Sequence, residues 1–171
     1  ETVTAIVGES GCGKSTVVNM LIGAFRPQNG DVTVGGKQLE KLSRENWYSH
    51  LSAVSYNTYT FNESVRDNFK MVKENVSDEE IFAALEKVNL KAFIEENGGL
   101  DKVITEDANN ISGGQKQRLA LAIALASDKD IYVFDEATSN IDIDSEAIIM
   151  KNVKAISENR SVIVISHRLA N

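Results

Sequence analysis

The residues best suited to chemistry lie near the start of the chain, in the segment GESGCGKST at residues 8–16. Its spacing matches the pattern G-x-x-x-x-G-K-[ST], in which glycines let successive backbone N–H groups curve around phosphate oxygens. In that pattern Lys14 reaches the β- and γ-phosphates, and the Ser15 hydroxyl ligates Mg²⁺. The residues expected to contact the phosphates are Gly8, Ser10, Gly11, Cys12, Gly13, Lys14, Ser15 and Thr16.

A strand and a helix should flank this loop. The apolar, β-branched run VTAIV leads into it, and the apolar run VVNMLIG follows it. Backbone N–H groups at the start of a helix lack intrahelical partners and attract anions, so this arrangement suits a phosphate. The alternative is a glycine-rich turn that binds nothing, and the strand–loop–helix context argues against it.

Cys12 is the only cysteine of the chain and lies inside the loop. One interpretation is a switch sensitive to oxidation or alkylation, and the other is a small residue that fits the turn. Nothing in the sequence marks the thiol as reactive, which favours the second. A single cysteine also excludes a disulfide within the chain and fits a reducing compartment.

A second set of candidate residues stands at the ends of two apolar strands. The run IYVFDE ends in Asp135 and Glu136, and the run SVIVIS is followed by His167. Ligands of doubly wound sheets bind at the carboxyl ends of the strands. We therefore expect Asp135 to hold Mg²⁺, mostly through water, and Glu136 to act as a general base or to orient the attacking water. His167 could contact a γ-phosphate, and a structural role is its alternative.

Near-continuous apolar strands that alternate with helices indicate an α/β fold with a mainly parallel sheet covered on both faces. The segment DVTV should be a strand that closes on a turn at Gly35 and Gly36, and SRENWYSHL a short helix capped by Ser43. From about residue 62 to residue 126 the pattern becomes helical. There SDEE has capping-box spacing, and four residues share one helix face: Ile81, Ala84, Leu85 and Val88.

Composition limits the classes of function. The 171 residues suit one domain with an ordinary core, and the formal charge of −7 argues against a nucleic-acid-binding surface. No apolar run approaches the roughly 20 residues that cross a bilayer, and no signal peptide is recognisable. If the protein works at a membrane, we expect another segment or chain to hold it there.

A further glycine-containing turn, ISGGQ at residues 111–115, runs into the apolar helix LALAIALA. The phosphate loop, ISGGQ, the acidic strand end, SNID at residues 139–142 and His167, in this order, resemble the nucleotide-binding domain of ATP-binding cassette (ABC) transporters. ISGGQ is similar to the signature LSGGQ of that family, SNID to its D-loop and His167 to its switch histidine. The segments FNESVRDNF and SHRLAN resemble its exporter branch.

The resemblance implies a P-loop NTPase core with a helical subdomain at about residues 62–126, all within one ABC ATPase domain at residues 1–171. It implies Mg-ATP hydrolysis that powers transport at the cytoplasmic face of a membrane, with transmembrane domains and a second nucleotide-binding domain as partners. Those two domains would pair head to tail, so that each signature loop caps the ATP of the other chain. The signature residues are Ser112, Gly113, Gly114 and Gln115.

The sequence departs from the family in two places. Where a glutamine usually stands in the Q-loop, this chain has Tyr56, with Asn57 beside it. A tyrosine hydroxyl is a poor substitute for an amide oxygen as a Mg²⁺ ligand, so slower hydrolysis is expected unless Asn57 takes the role. The strands that carry the adenine-stacking aromatic residue are also absent, so the chain resembles a fragment of a longer polypeptide.

Two other functions stay open at the level of sequence. A non-transport ABC ATPase acting on DNA or ribosomes should carry a basic surface, a long coiled-coil insert or a second cassette, none of which is visible. A nucleotide switch that barely hydrolyses ATP is suggested by Tyr56 and opposed by the presence of Lys14, Asp135, Glu136 and His167.

Overall fold

Strands and helices alternate along the chain, as predicted, in a computed structural model that describes residues 3–56, 59–105 and 110–165. Within these ranges the strands are β1 (Val3–Ile6), β2 (Thr33–Val34), β3 (Lys37–Gln38), β4 (Leu51–Ser55), β5 (Ile131–Asp135) and β6 (Ser161–Ile165). The helices are α1 (Lys14–Leu21), α2 (Arg44–Ser49), α3 (Val65–Lys70), α4 (Asp78–Lys87), α5 (Lys91–Glu96), α6 (Gly113–Ala126) and α7 (Ile143–Ile156). None of these helices is long and apolar enough to cross a membrane.

Four strands form one sheet in the order β1-β6-β5-β4, and each neighbouring pair is parallel. The pairing places Ile6, Ile165, Asp135 and Ser55 in one row at the carboxyl ends of the strands. Each loop that follows a strand therefore starts from the same edge. The predicted parallel α/β sheet is confirmed.

Apolar residues cover both faces of this sheet, which explains why its strands lack the alternation of a half-exposed sheet. On one face Tyr132 and Phe134 pack into a large cluster that includes residues of α3, α4, α6 and α7. On the other face Val133 packs into a smaller cluster with Val18 of α1 and Trp47 of α2. The sheet is thus a fixed platform between two layers.

The segment after Ser43 differs in part from the prediction. Ser43 caps α2 as expected, because its side chain accepts a hydrogen bond from Asn46 N. The helix ends at Ser49 and not at Leu51, and residues 51–55 form β4, a strand that the sequence analysis missed. Pairing with β5 and burial of Leu51 and Val54 on opposite faces override the helical pattern. The predicted hairpin at Gly35 and Gly36 is present.

Helices α3 to α6 lie within residues 62–126, where the sequence pattern is helical. Ser77 and Glu80 form the predicted capping box at the start of α4. The four residues predicted to share a helix face are all buried: Ile81, Ala84, Leu85 and Val88. They join α4 to α6, so α6 connects the helical region to the sheet.

Candidate functional site

The loop between β1 and α1 has the backbone of a phosphate-binding turn. Gly11 and Gly13 have φ angles of 80° and 98°, in the left-handed region that favours glycine, and Gly13 is the N-cap of α1. Cys12 N donates to Glu9 O at 3.3 Å, which closes the turn. The first N–H groups of α1, at Lys14, Ser15 and Thr16, have no intrahelical acceptor and are available to an anion.

Lys14 braces this loop from inside. Its side chain is buried, and Nζ donates to Gly8 O at 2.9 Å and to Glu9 O at 2.8 Å. An ammonium group has three donors, so two hold the loop in its curved shape. A buried cation beside backbone carbonyls is a favourable partner for a phosphate, since an anion supplies the counter-charge that the loop lacks.

Asp135 and Glu136 lie at the carboxyl end of β5, as predicted. Glu136 has a φ of 52°, an uncommon left-handed conformation for a residue other than glycine. Glu136 N donates to Ile165 O of the neighbouring strand at 3.0 Å. This sharp turn directs the chain away from the sheet immediately after Asp135.

The phosphate loop and Glu136 face one cavity of about 270 Å³. Its lining residues are Ser10, Gly11, Gly13, Lys14, Ser15, Thr16 and Glu136. The structure therefore brings most of the predicted loop together with the predicted catalytic carboxylate. Gly8 and Cys12 are not among the lining residues, and a Cβ on Gly8 would lie 2.8 Å from Cys12 Sγ, so these two residues pack on each other.

The donor set fits a magnesium ion. Asp135 Oδ1 is buried and has no hydrogen-bond partner in the part of the chain that the structure describes. A buried carboxylate oxygen without a partner is costly unless a cation or water completes it. Mg²⁺ prefers a few carboxylate and hydroxyl oxygens together with water and phosphate, which Asp135 and Ser15 would provide.

The signature segment forms the start of α6 and a capping box that the sequence analysis did not note. Ser112 Oγ accepts from Gln115 N at 3.2 Å, and Ser112 N donates to Gln115 Oε1 at 2.7 Å. The S-x-x-Q spacing was the available signal. Ser112 and Gly113 are exposed, and residues 112–115 are not among those that line the cavity of the phosphate loop.

Gly114 touches the loop that follows β5. A Cβ on Gly114 would lie 2.8 Å from Asn140 O, closer than real Cβ atoms approach a backbone oxygen. The first helical turn of α6 and the SNID segment are therefore in direct contact. In the SNID segment Asp142 caps α7, and the hydrogen bond from Ser145 N lowers the pKa of the Asp142 carboxyl.

Gln117 is a second connection that sequence reasoning missed. It is the one polar residue among the buried residues of α6. Its amide bonds the backbone of Glu136 and Asn140, which lie 19 and 23 residues away in the sequence. A glutamine on the inward face of an otherwise apolar helix was the only signal of this role.

Two predicted residues lie elsewhere. Tyr56 follows Ser55, the register partner of Asp135, and 53% of its surface is exposed. His167 and Asn57 lie outside the described residues, so the predicted contact of His167 with a γ-phosphate stays a prediction.

Comparison with known proteins agrees with this arrangement. A family model described as ABC transporter matches residues 1–139, which is most of the chain. This chain belongs to the ABC transporter family. The resemblance predicted from the phosphate loop, ISGGQ and the acidic strand end is therefore confirmed.

Relatives in the ABC transporter family are similar over almost the whole chain. An uncharacterised ABC transporter ATP-binding protein of Haemophilus influenzae is 44% identical over 169 residues, which are 99% of this chain and 30% of the relative. The ATP-dependent lipid A-core flippase of Mannheimia succiniciproducens is 38% identical over 97% of this chain and 29% of the flippase. The chain thus spans less than a third of either relative.

A solved structure matches the fold of this ABC transporter domain closely. The structure of a bacterial Atm1-family ABC exporter with ATP bound superimposes with a TM-score of 0.93 and 31% sequence identity. The match covers 99% of this chain and 30% of the exporter chain. The predicted P-loop core, with its parallel sheet flanked by helices, agrees with this match.

The single thiol of this ABC transporter domain offers a test of the phosphate loop. Cys12 is exposed, and its Sγ lies 4.0 Å from Lys14 Nζ. We expect saturating Mg-ATP to slow alkylation of Cys12 severalfold, and a bulky adduct on Cys12 to block ATP binding, because bound phosphates cover the neighbouring N–H groups. The measurement is the alkylation rate in a full-length protein whose other thiols, if any, are replaced. Equal rates with and without nucleotide would contradict a phosphate site at this loop.

Proposed function

We propose that this chain is the ATP-hydrolysing nucleotide-binding domain of an ABC exporter. It would act at the cytoplasmic face of a membrane and drive transmembrane domains that are fused to it or supplied by a partner. The observation that carries the proposal is the shared cavity of the phosphate loop and Glu136. The names of the flippase and of the Atm1-family exporter support the direction of transport.

Each residue around the cavity has a distinct part in ATP hydrolysis. The N–H groups at the start of α1 and the ammonium of Lys14 bind the phosphates and hold them in place. Glu136, at the opposite wall, orients the attacking water or accepts its proton. The outcome is hydrolysis that depends on positioning and charge stabilisation, as is general for phosphoryl transfer.

Ser15 and Asp135 are the residues that would hold Mg²⁺. When bound, the ion offsets the negative charge that develops on the phosphate oxygens. Asp135 would bind it mainly through water, and the buried Oδ1 atom supports this role. We expect removal of Mg²⁺ to abolish turnover.

The site of one chain would be completed by a second domain. Residues 112–115 do not line the cavity of their own phosphate loop, although Ser112 and Gly113 are exposed at the start of a 14-residue helix. Free N–H groups at that position suit a phosphate held by another chain. Head-to-tail pairing would place Ser112–Gln115 of each domain on the ATP of the other, and opening and closing of the pair would move the transmembrane domains.

Steady-state ATP turnover by the full-length protein tests this proposal. We expect turnover with Mg²⁺ and none with excess chelator, and we expect Lys14→Met to abolish turnover because the loop loses its cation. ATP binding without turnover would favour the nucleotide switch. Absence of ATP binding would overturn the proposal.

Tyr56 provides a prediction about the rate. Changing Tyr56 to glutamine should raise ATP turnover by about threefold to tenfold, the effect of one added hydrogen bond or ligand, at nearly unchanged ATP affinity. The reason is that an amide supplies a carbonyl oxygen next to Ser55, in the row of Asp135.

Tyr59→Gln is the matched control for Tyr56→Gln, because Tyr59 is also an exposed tyrosine of this loop but lies farther from β4. It should leave the rate unchanged. An unchanged or lower rate in Tyr56→Gln would show that Tyr56 does not limit hydrolysis and that the position aligned with the Q-loop glutamine is wrong.

A further inference from the structure

Gln117 joins α6 to the loop that carries Glu136. Its side chain is 2% exposed, Nε2 donates to Glu136 O at 3.2 Å, and Oε1 accepts from Asn140 N at 3.0 Å. Because one partner is a carbonyl and the other an N–H, only one orientation of the amide satisfies both. Both polar ends of this buried side chain are therefore used on one loop.

Glu136 needs such support because its backbone conformation is uncommon. A φ of 52° in a residue other than glycine persists only where the surroundings fix it. Three hydrogen bonds do so: Glu136 N donates to Ile165 O, and Glu136 O accepts from Ser139 N and from Gln117 Nε2. Of these, the bond from Gln117 is the one that comes from a side chain.

The neighbouring residue of α6 holds the other end of the same loop. Arg118 Nη1 donates to Ser145 Oγ at 3.1 Å, in the first turn of α7, and to Asn89 O at 2.8 Å. Gly114 contacts Asn140 O one turn earlier in α6. The loop from residue 136 to residue 142 is thus fixed to the helix that begins with the signature segment.

We propose that Gln117 is a positioning residue for hydrolysis, which holds Glu136 and Asn140 in fixed register with the signature helix. This inference rests on the proposed function, in which Glu136 acts on the ATP of its own chain and Ser112–Gln115 act on the ATP of the partner. Gln117 lies between these two sets of residues. A shift of α6 on contact with the nucleotide of the partner is passed through Gln117 to the backbone of Glu136.

The test compares two substitutions at Gln117 in the full-length protein. Gln117→Met keeps the length and burial but loses both hydrogen bonds, and we expect kcat to fall about tenfold, because a sub-ångström displacement of a reacting group has an effect of this order. The affinity for ATP should change by less than about twofold, since Lys14 and α1 are untouched. Rates are expressed per bound nucleotide, which removes any effect of a smaller folded fraction.

Gln117→Glu separates the two bonds and serves if the methionine variant does not fold. A carboxylate still accepts from Asn140 N but cannot donate to Glu136 O. We expect it to be as slow as Gln117→Met, while the amide of Asn140 keeps its protection from hydrogen exchange. A normal rate in Gln117→Glu would overturn the assignment to Glu136.

Arg118→Met is the matched control, because it also removes two hydrogen bonds from α6 but none to Glu136. Its rate per bound nucleotide should stay within about twofold of the wild type. Equal rates in Gln117→Met and Arg118→Met, or a wild-type rate in Gln117→Met, would contradict the inference. Glu136→Gln is measured in parallel: wild-type turnover there contradicts the proposed function, whereas a slow Glu136→Gln with a normal Gln117→Met contradicts only the role of Gln117.

Discussion

Glu136→Gln should bind ATP normally and hydrolyse it at least about a hundredfold more slowly than the wild type, because loss of a general base costs 10²-fold to 10⁴-fold. The amide keeps the shape and burial of the side chain at the wall of the cavity. It cannot accept a proton from water at neutral pH. Since the phosphate loop is unaltered, the full-length protein should accumulate with ATP bound and its two domains closed.

The measurement for Glu136→Gln is a comparison of single-turnover hydrolysis with ATP affinity. Glu158→Gln is a suitable control, because it makes the same change at an exposed position next to the end of α7. It should match the wild type in both quantities. Wild-type turnover by Glu136→Gln would mean that another group activates the water.

Gly114→Ala should lower ATP turnover by about a hundredfold, the size of effect expected when reacting groups move by about 1 Å. The added Cβ would lie 2.8 Å from Asn140 O, and that oxygen belongs to backbone that cannot rotate away. Either α6 or the loop after Glu136 must therefore shift. We also expect the free energy of unfolding to fall by about 1–3 kcal/mol, as for other overpacked sites.

Gly113→Ala is a close control for Gly114→Ala, since it lies one residue earlier in the same helical turn. A Cβ on Gly113 would meet no atom within 4 Å. The alanine should preserve the fold and stabilise it by up to about 1 kcal/mol through the lower entropy of the unfolded chain. Thermal unfolding and ATP turnover of both variants check the prediction. Equal loss of stability in the two variants would show that the contact with Asn140 does not constrain α6.

Much of the fold follows from local sequence. Runs such as VTAIV and IYVFDE are apolar because both faces of the sheet are covered, and the loop glycines Gly11 and Gly13 are required by their φ angles. Strand β4 was missed because Leu51–Ser55 is short and continues a helical pattern. Its strand geometry depends on pairing with β5, which is 80 residues away in the register from Leu51 to Ile131.

The candidate site was predictable to a smaller extent. The phosphate loop and Asp135–Glu136 were found from their types and spacing, because each is a contiguous segment with its own chemistry. The left-handed turn at Glu136 and the bridge from Gln117 depend on contacts between segments distant in sequence. No local pattern encodes such contacts, so only the structure reveals that the signature helix and the catalytic loop are joined.

The most direct test of the account is a structure of the full-length Glu136→Gln variant with Mg-ATP. The account predicts one ATP between Lys14 and Ser15 of this chain, and Ser112–Gln115 of this chain on the nucleotide held by the partner domain. Two results would contradict it. One is contact of Lys14 and Ser112 of the same chain with the same ATP, and the other is a closed, ATP-bound state in which Ser112–Gln115 touch no nucleotide.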